Sequence, residues 1–449
     1  MSQRRRELSG LRVTVMGLGQ FGGGAGVVRY LLDRGACVTV TDRRSPEQLG
    51  DVVRQFENDE SLRLHLGEHR DADFIETDLV IVSPAVTPGN PFVELADNHG
   101  IPLTSEIGLF WERCPARIVG VTGTNGKSTT ASLLYDCLKN DGRRVWLGGN
   151  IGGSLLGDVD SMTPDDWVVL ELSSFQLSAL NEMKVSPHVA VVTNFSPNHL
   201  DWHPGLDHYR HAKQAILRWQ RADDIAVLGG WDEVRAWPVS GTQAIVDDSF
   251  ECFDPPPSLH GLHHAQNIAT VVAAARAMGV GEPAIRQAIA EYQGLPHRMQ
   301  FIGAFQGRQV YNDSASTTPE STLAALTSLD GSRVVLVGGA DKGVDLTNLA
   351  AGLRQHANVV VLMGAVAPRL EELMKAPLPR DSTCPCEIVT STSIDDAVLK
   401  AFLLSSPGDI ILLSPGCSSH GWFTNFVERG NEFVRLVHEV SGCSETNCN

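Results

Sequence analysis

The chain has 449 residues, 42% apolar and 20% charged, with 43 glycines, which suits a globular α/β enzyme of two or three domains. Its formal net charge of −17 disfavours nonspecific binding to nucleic acid or an anionic membrane surface. Apolar runs reach only about ten residues, too short to cross a bilayer, and no secretory apolar core follows the arginines of MSQRRRELSG.

The first segment opens with LRVTVMG, a β-branched run ending in glycine, as a strand entering a tight turn does. A glycine cluster from Gly17 to Gly26 follows, then VVRYLLDRG as a helix stopped at Gly35, then the strand CVTVTD ending in Asp42. A nucleotide-binding fold keeps an acidic residue at about this place for a ribose. The glycine spacing is irregular, so a dinucleotide site, a different nucleotide group and purely structural glycines all stay open. DLVIV is a further buried strand, and a boundary is expected near residues 112 to 116, where ERCPA separates two apolar patterns.

ARIVGVTGTNGKSTTASLLYDCL is the most informative stretch. A strand runs straight into a glycine loop and the loop into a helix, so backbone N–H groups and the helix N-terminus can cradle phosphate. Gly123, Thr124, Asn125 and Gly126 form that loop, Lys127 reaches the terminal phosphates, and Ser128 and Thr129 offer hydroxyls near Mg2+. The strict phosphate-loop pattern has glycine where Val121 stands. WVVLELSSFQL brings Glu171, Ser173, Ser174 and Gln176 to a strand end, and VAVVTNFSPNHLDWH brings Asn194, His199, Asp201 and His203. Polar groups at the ends of parallel strands collect on the sheet edge where ligands bind. Glu171 suits a metal beside triphosphate, while His199 by itself fits a helix-capping role equally well. Lys213, on the helix YRHAKQAILRW, reads by itself as a surface lysine. Asn267 lies on a later helix and could hold an adenine or ribose edge, and Arg298 in LPHRM borders a linker.

From about residue 301, QVYNDSASTTPESTLAAL, RVVLVGGADKG and DIILLSPGCSSHGWFTNFVERGNEFVRLV repeat strand, loop and helix, which predicts another mostly parallel sheet. Their loops carry Asp313, Ser314, Lys342, Ser419 and Phe426. Nine cysteines at irregular spacing read as reduced thiols of a cytoplasmic protein, not as a disulfide scaffold.

GTNGKST, ELSSFQL, NFSPNHLDWH, LPHR, NDS, GGADKG, LLSPGCSS and NFVERG, in this order across almost the whole chain, resemble the Mur ligase family and its glutamate-adding branch. The resemblance implies three α/β domains. These are a Rossmann-like UDP-binding domain over 1–115, a central phosphate-loop ATPase domain over 116–300, and a C-terminal Rossmann-like glutamate-binding domain over 301–449. It implies ATP- and Mg2+-dependent joining of glutamate to UDP-N-acetylmuramoyl-L-alanine through an acyl phosphate, in a cytoplasmic monomer. Lys127, Glu171, His199 and Lys213 match catalytic positions; Ser128, Glu171, His199 and Lys213 match the metal side, with Lys213 carrying a CO2-derived carbamate. Asn267, Arg298 and Asp313 match the nucleotide side. Gly19, Gln20, Phe21, Asp42, Arg44, Asn150, Ser173 and Gln176 match the UDP-sugar side, and Lys342, Ser419 and Phe426 the glutamate side.

The departures are Ala85 in SPA for the usual SPG, Asn198 for an acidic residue, His264 for an asparagine, and DSASTT for DSKATN, read with Ser316 at the lysine place. The whole-chain resemblance implies D-glutamate, whereas DSASTTPE also resembles relatives that add L-glutamate. A folate polyglutamate ligase shares the central chemistry without needing this first domain, and a noncatalytic nucleotide-binding protein would not need Lys127, Glu171, His199 and Lys213 together. A dehydrogenase leaves the later phosphate loop unexplained.

Overall fold

The computed structural model describes residues 7–18, 23–49, 51–56, 61–151, 153–198, 202–246, 262–341, 345–375, 386–419 and 421–442. Residues up to 246 together with His263–Ala290 form one compact unit, and those from Glu291 onward form a second.

In the first unit, β1 (Arg12–Met16), β2 (Cys37–Asp42), β3 (Leu62–Leu66), β4 (Leu79–Val82) and β5 (Leu103–Thr104) make a parallel sheet in the order β3-β2-β1-β4-β5. This order reverses between β1 and β4, where open α/β sheets form their ligand crevice. The second sheet comprises β6 (Arg117–Thr122), β7 (Val145–Gly149), β8 (Trp167–Glu171), β9 (Val189–Val192), β10 (Ile225–Leu228) and β11 (Thr242–Ala244). All are parallel, in the order β11-β10-β9-β6-β8-β7. The chain leaves β6 for β8 and β7 on one side and for β9 on the other, so the ends of β6, β8 and β9 meet at a switch point.

The β-branched runs that predicted these strands are buried on both faces, as helix-covered parallel strands require. One contiguous buried cluster, from Leu8 and Val13 through Ile107 and Phe110 to Leu170, Ile216 and Trp237, serves both sheets. The helix Glu106–Arg113, capped by the Ser105 hydroxyl, supplies Ile107, Leu109 and Phe110 to it just before the ERCPA segment.

The second unit holds β12 (Gln300–Phe305), β13 (Arg308–Asn312), β14 (Arg333–Gly338), β15 (Val359–Met363), β16 (Glu387–Thr390) and β17 (Ile410–Leu413). Their order is β12-β13-β17-β14-β15-β16; β12 and β13 are antiparallel and the other pairs parallel. Its switch point lies between β14 and β17. Apolar clusters fill both sides of the sheet, Leu349, Leu353 and Leu370 on one and Val398, Phe433 and Val437 on the other. Three α/β sheets are thus present among the described residues, as the alternation of strand and helix patterns predicts.

Candidate active site

The phosphate loop leaves β6 at Thr122 and enters the helix Lys127–Asn140 through Gly126, whose φ of +75° is left-handed. Glycine is required there twice over: a Cβ would be strained, and it would lie 2.3 Å from Asn267 Oδ1. Asn267, buried on the helix Leu262–Ala277, therefore packs directly over the loop.

The segment that follows β9 braces the same loop. The Asn125 N–H donates to Asn194 Oδ1 at 2.8 Å, Asn194 Nδ2 donates to the Asn125 carbonyl at 3.0 Å, and Thr193 Oγ1 donates to that carbonyl at 2.6 Å. Thr124 is held by a bond from its hydroxyl to the Ser196 carbonyl at 3.0 Å. Thr193 was not singled out in the sequence; its signal is the polar pair that ends an otherwise apolar strand. Lys127 is half-buried and donates to the Thr124 carbonyl at 2.7 Å, with Ser128 and Thr129 beside it in the first helical turn.

Lys213 overturns its reading as a surface residue. It is 2% exposed, and its Nζ donates to the Gly123 carbonyl at 2.7 Å and reaches Thr122 Oγ1 at 3.4 Å. The helix Leu206–Arg218 turns Tyr209, Ala212, Lys213 and Ile216 inward, so the lysine lies on the packing face. Burial, reinforced by the charge of Lys127 and only partly opposed by Glu171, holds its amine well below the ordinary lysine value. A neutral amine is thereby favoured.

Glu171 ends β8 and is 1% exposed. Its Oε1 accepts from Asn150 Nδ2 at 2.7 Å, while its buried Oε2 has no hydrogen-bond partner among the described residues. Asn150 also donates its backbone N–H to the Glu171 carbonyl at 2.9 Å. An unsatisfied buried carboxylate oxygen beside a phosphate loop fits a divalent cation, and hydroxyls at Ser128 and Thr129 are compatible donors. No group of three or more His, Cys, Asp or Glu able to hold a metal occurs among the described residues. That donor set suits Mg2+, which is typically held by one or two carboxylates together with substrate phosphates. His199 lies outside the described residues.

Ser173 and Gln176 form a capping box at the start of the helix Ser174–Glu182, and Gln176 also lines a cleft of about 480 Å3 with Ser83, Glu106, Phe175, Trp202 and His208. On the first sheet, Asp42 receives Arg44 Nε at 3.1 Å, Arg44 Nη2 at 3.0 Å and the Leu18 N–H at 3.0 Å. Burial pushes the carboxyl up, but the bonds from Arg44 and Leu18 together outweigh it and hold it below the usual range. Both carboxylate oxygens are thus engaged within the protein, leaving Arg44 as the outward group of the pair. Gly19, Gln20 and Phe21 lie outside the described residues. Ala85 is exposed and its φ is not positive, so the turn after β4 accepts alanine in place of glycine without backbone strain.

In the second unit, Asp313 is buried at the end of β13, where it accepts from Ser414 Oγ at 2.7 Å and from the Met299 N–H at 3.1 Å. Burial raises its carboxyl to about 6 against the bonds from Ser316, Ser414 and Met299. Arg298 is exposed between two residues in the left-handed region, His297 at φ 64° and Met299 at φ 44°. His297 is locked there by Asn312 Nδ2 at 3.0 Å and by the Ala315 N–H on its carbonyl at 2.8 Å; Gly430 makes room for its ring, since a Cβ there would lie 2.1 Å from His297 Nδ1.

Counting along DSASTT places Ala315, not Ser316, third, so Ala315 stands at the usual lysine place and Ser316 at the usual alanine. Ser419 is buried and lines a cavity of about 440 Å3 with Gly339, Asp341, Trp422 and Arg429. The Phe426 carbonyl accepts from Ser314 Oγ at 2.8 Å. Lys342 lies outside the described residues, as does the side chain of His264.

Three family models match in order: the Mur ligase MurD-like N-terminal domain over residues 11–105, the Mur ligase middle domain over 121–247, and the Mur ligase glutamate ligase domain over 297–417. The chain is 35% identical to the UDP-N-acetylmuramoylalanine–D-glutamate ligase of Roseiflexus sp., over 97% of this chain and 100% of that protein. It is 34% identical to the Clostridium kluyveri enzyme of the same name, over 92% and 94%. Among solved structures, the UDP-N-acetylmuramate-alanine ligase MurC of Thermotoga maritima shares the fold, with a TM-score of 0.58 at 19% identity over 96% of this chain and 99% of that one. The chain therefore belongs to the Mur ligase family.

Proposed function

We propose that this protein joins D-glutamate to UDP-N-acetylmuramoyl-L-alanine with cleavage of ATP to ADP and phosphate, as a step of peptidoglycan precursor synthesis in the cytoplasm. The γ-phosphoryl group passes to the substrate carboxylate, giving an acyl phosphate. The glutamate amine then attacks that carbonyl, and the tetrahedral adduct expels phosphate as the amide forms. The observation that carries this reading is the convergence of Lys127, the neutral-favouring Lys213 and the half-satisfied Glu171 on one glycine loop. It is supported by similarity along the full chain to relatives that bear this activity in their names.

In this reading the loop from Gly123 to Gly126 and the N–H groups of the following helix cradle the phosphates, and Lys127 swings from Thr124 onto the terminal ones. Glu171 and Ser128, together with His199, would hold Mg2+, which supplies positive charge beside the transferring phosphoryl group. The Lys213 amine adds CO2 and releases a proton, becoming an anionic oxygen donor that an unmodified lysine cannot be. Asn150 and Gln176 orient the muramoyl portion, and Arg44, held by Asp42, faces the diphosphate. Asp313, Asn267 and Arg298 serve the nucleotide, and Lys342, Ser419 and Phe426 the glutamate carboxylates. No helix among the described residues is long and apolar enough to cross a membrane. We take the enzyme to act as a monomer without nucleic acid.

A second reading, addition of L-glutamate, rests on DSASTT and its missing lysine. The deciding experiment supplies purified protein with ATP, Mg2+, UDP-N-acetylmuramoyl-L-alanine and each glutamate enantiomer separately. A higher kcat/KM with D-glutamate and a product of matching mass and chirality are expected; preference for L would reverse the stereochemical assignment, and no amide with either would reject the function.

A further inference from the structure

The C-terminal helix Phe426–Ser441 starts at Asn425, whose Oδ1 accepts from the Glu428 N–H at 2.9 Å. Arg429 follows on its buried stripe with Phe433, Leu436 and Val437, and is 2% exposed. Arginines are seldom buried this far unless their donors are engaged. Here Nε donates to Ser314 Oγ at 3.0 Å, Nη2 to the Ser314 carbonyl at 2.9 Å, and Nη1 to the Cys417 carbonyl at 3.2 Å. Burial lowers the guanidinium to about 10, which leaves it charged at neutral pH.

The two carbonyls belong to segments that leave the sheet side by side. β13 and β17 pair in parallel as far as Asn312 and Leu413, and the Asp313 N–H to the Leu413 carbonyl, at 2.7 Å, extends that ladder by one bond. Beyond it the strands give way to loops, one carrying Asp313 and the other running through Cys417 to Ser419. The planar fork of Arg429 spans that gap, and Ser314 Oγ passes the link on to the Phe426 carbonyl at 2.8 Å. A lysine at this place has a single nitrogen, which cannot present parallel donors to both carbonyls.

We propose that Arg429 is a positioning residue that fixes the segment bearing Asp313 relative to the segment bearing Ser419, and so sets how glutamate is presented to the activated carboxylate. The proposal rests on the functional reading above for the roles of Asp313 and Ser419, but not for the coupling between their segments. Although Arg429 lines the cavity that Ser419 also lines, its Nε, Nη1 and Nη2 donate to Ser314 and Cys417, and it acts through them.

The test uses full-length Arg429→Lys and Arg429→Ala. Amide hydrogen exchange of Asp313–Ser316 and Gly416–Ser419 rises together, about tenfold or more, while the interior of β14 stays as in the parent. In steady-state assays Arg429→Lys loses about 10- to 100-fold in kcat/KM for glutamate, as a misplacement of about 1 Å would cause. Its KM for glutamate rises about 10-fold or more while its KM for ATP changes by less than about 3-fold, a split that a general loss of folded protein, which lowers apparent kcat and leaves both KM values unchanged, would not produce. Methylguanidinium partly restores Arg429→Ala and methylammonium does not. If Arg429→Ala does not fold, the lysine variant carries both the exchange and kinetic measurements. Exchange that rises in one segment only, or in neither, overturns the proposal, as does an equal loss toward both substrates. Should the parent protein form no glutamyl amide, the functional reading falls, and the exchange result alone decides the coupling.

Discussion

The Nζ of Lys213 lies 2.7 Å from the carbonyl oxygen of Gly123, fastening the helix Leu206–Arg218 to the phosphate loop. Burial, with the charge of Lys127 nearby, holds this amine well below the ordinary lysine value, and the proposed function makes it the group that takes up CO2.

Lys213→Ala is therefore expected to lose ligation by about 100-fold or more while added formate or acetate recovers part of it. Carbon-13 NMR of the parent enzyme in labelled bicarbonate should give a carbamate signal that the variant lacks. Full activity of the alanine variant in CO2-free buffer would contradict the assignment.

Lys127→Ala removes the cation that the proposed function assigns to the terminal phosphates, together with its 2.7 Å bond to the Thr124 carbonyl of the loop. A fall in kcat on the order of 10²–10³ is expected, with circular dichroism unchanged. The assay is phosphate release dependent on both substrates; parental turnover at saturating ATP would rule the role out.

Glu171 keeps its bond from Asn150 through Oε1 and leaves Oε2 buried without a partner. Glu171→Gln retains shape and loses the charge. The metal-free variant should melt within about 4 °C of the parent, the scale of a 1 kcal/mol change in a domain this large. The rise in Tm that Mg2+ with a nonhydrolysable ATP analogue gives the parent should shrink or vanish. An equal Mg2+-dependent rise in both proteins would remove Glu171 from the metal side.

Asp313 gives a pH prediction whose sign follows from its burial. Its carboxyl is raised to about 6 from 3.8, so the folded state holds the proton more tightly than the unfolded chain. That stabilisation is complete below the unfolded value and is lost as pH rises through the folded value, an effect of up to about 3 kcal/mol. Urea titrations should show the parent losing stability relative to Asp313→Asn between about pH 4 and pH 6, and none further above about pH 7. A flat difference across that window would mean that Asp313 titrates normally.

Much of this molecule was legible in its sequence because the signals are local. β-branched runs ending in glycine gave the strands, and GTNGKST set between a strand and a helix gave the phosphate cradle, since a helix N-terminus and its preceding turn are built from adjacent residues. Folding decided what local pattern cannot contain. Lys213 is buried because a helix 90 residues from Gly123 packs on the loop, and nothing in YRHAKQAILRW distinguishes that lysine from an exposed one. Asn267 sits over Gly126 because the helix Leu262–Ala277 packs on the loop, and Asn150 reaches Glu171 because β7 and β8 pair with Gly149 opposite Glu171. Arg429 lay unremarked within NFVERG until the sheet order set Ser314 and Cys417 on either side of it. An arginine on an apolar helical stripe was its one sequence signal, and its partners, 115 and 12 residues away, are chosen by tertiary packing alone.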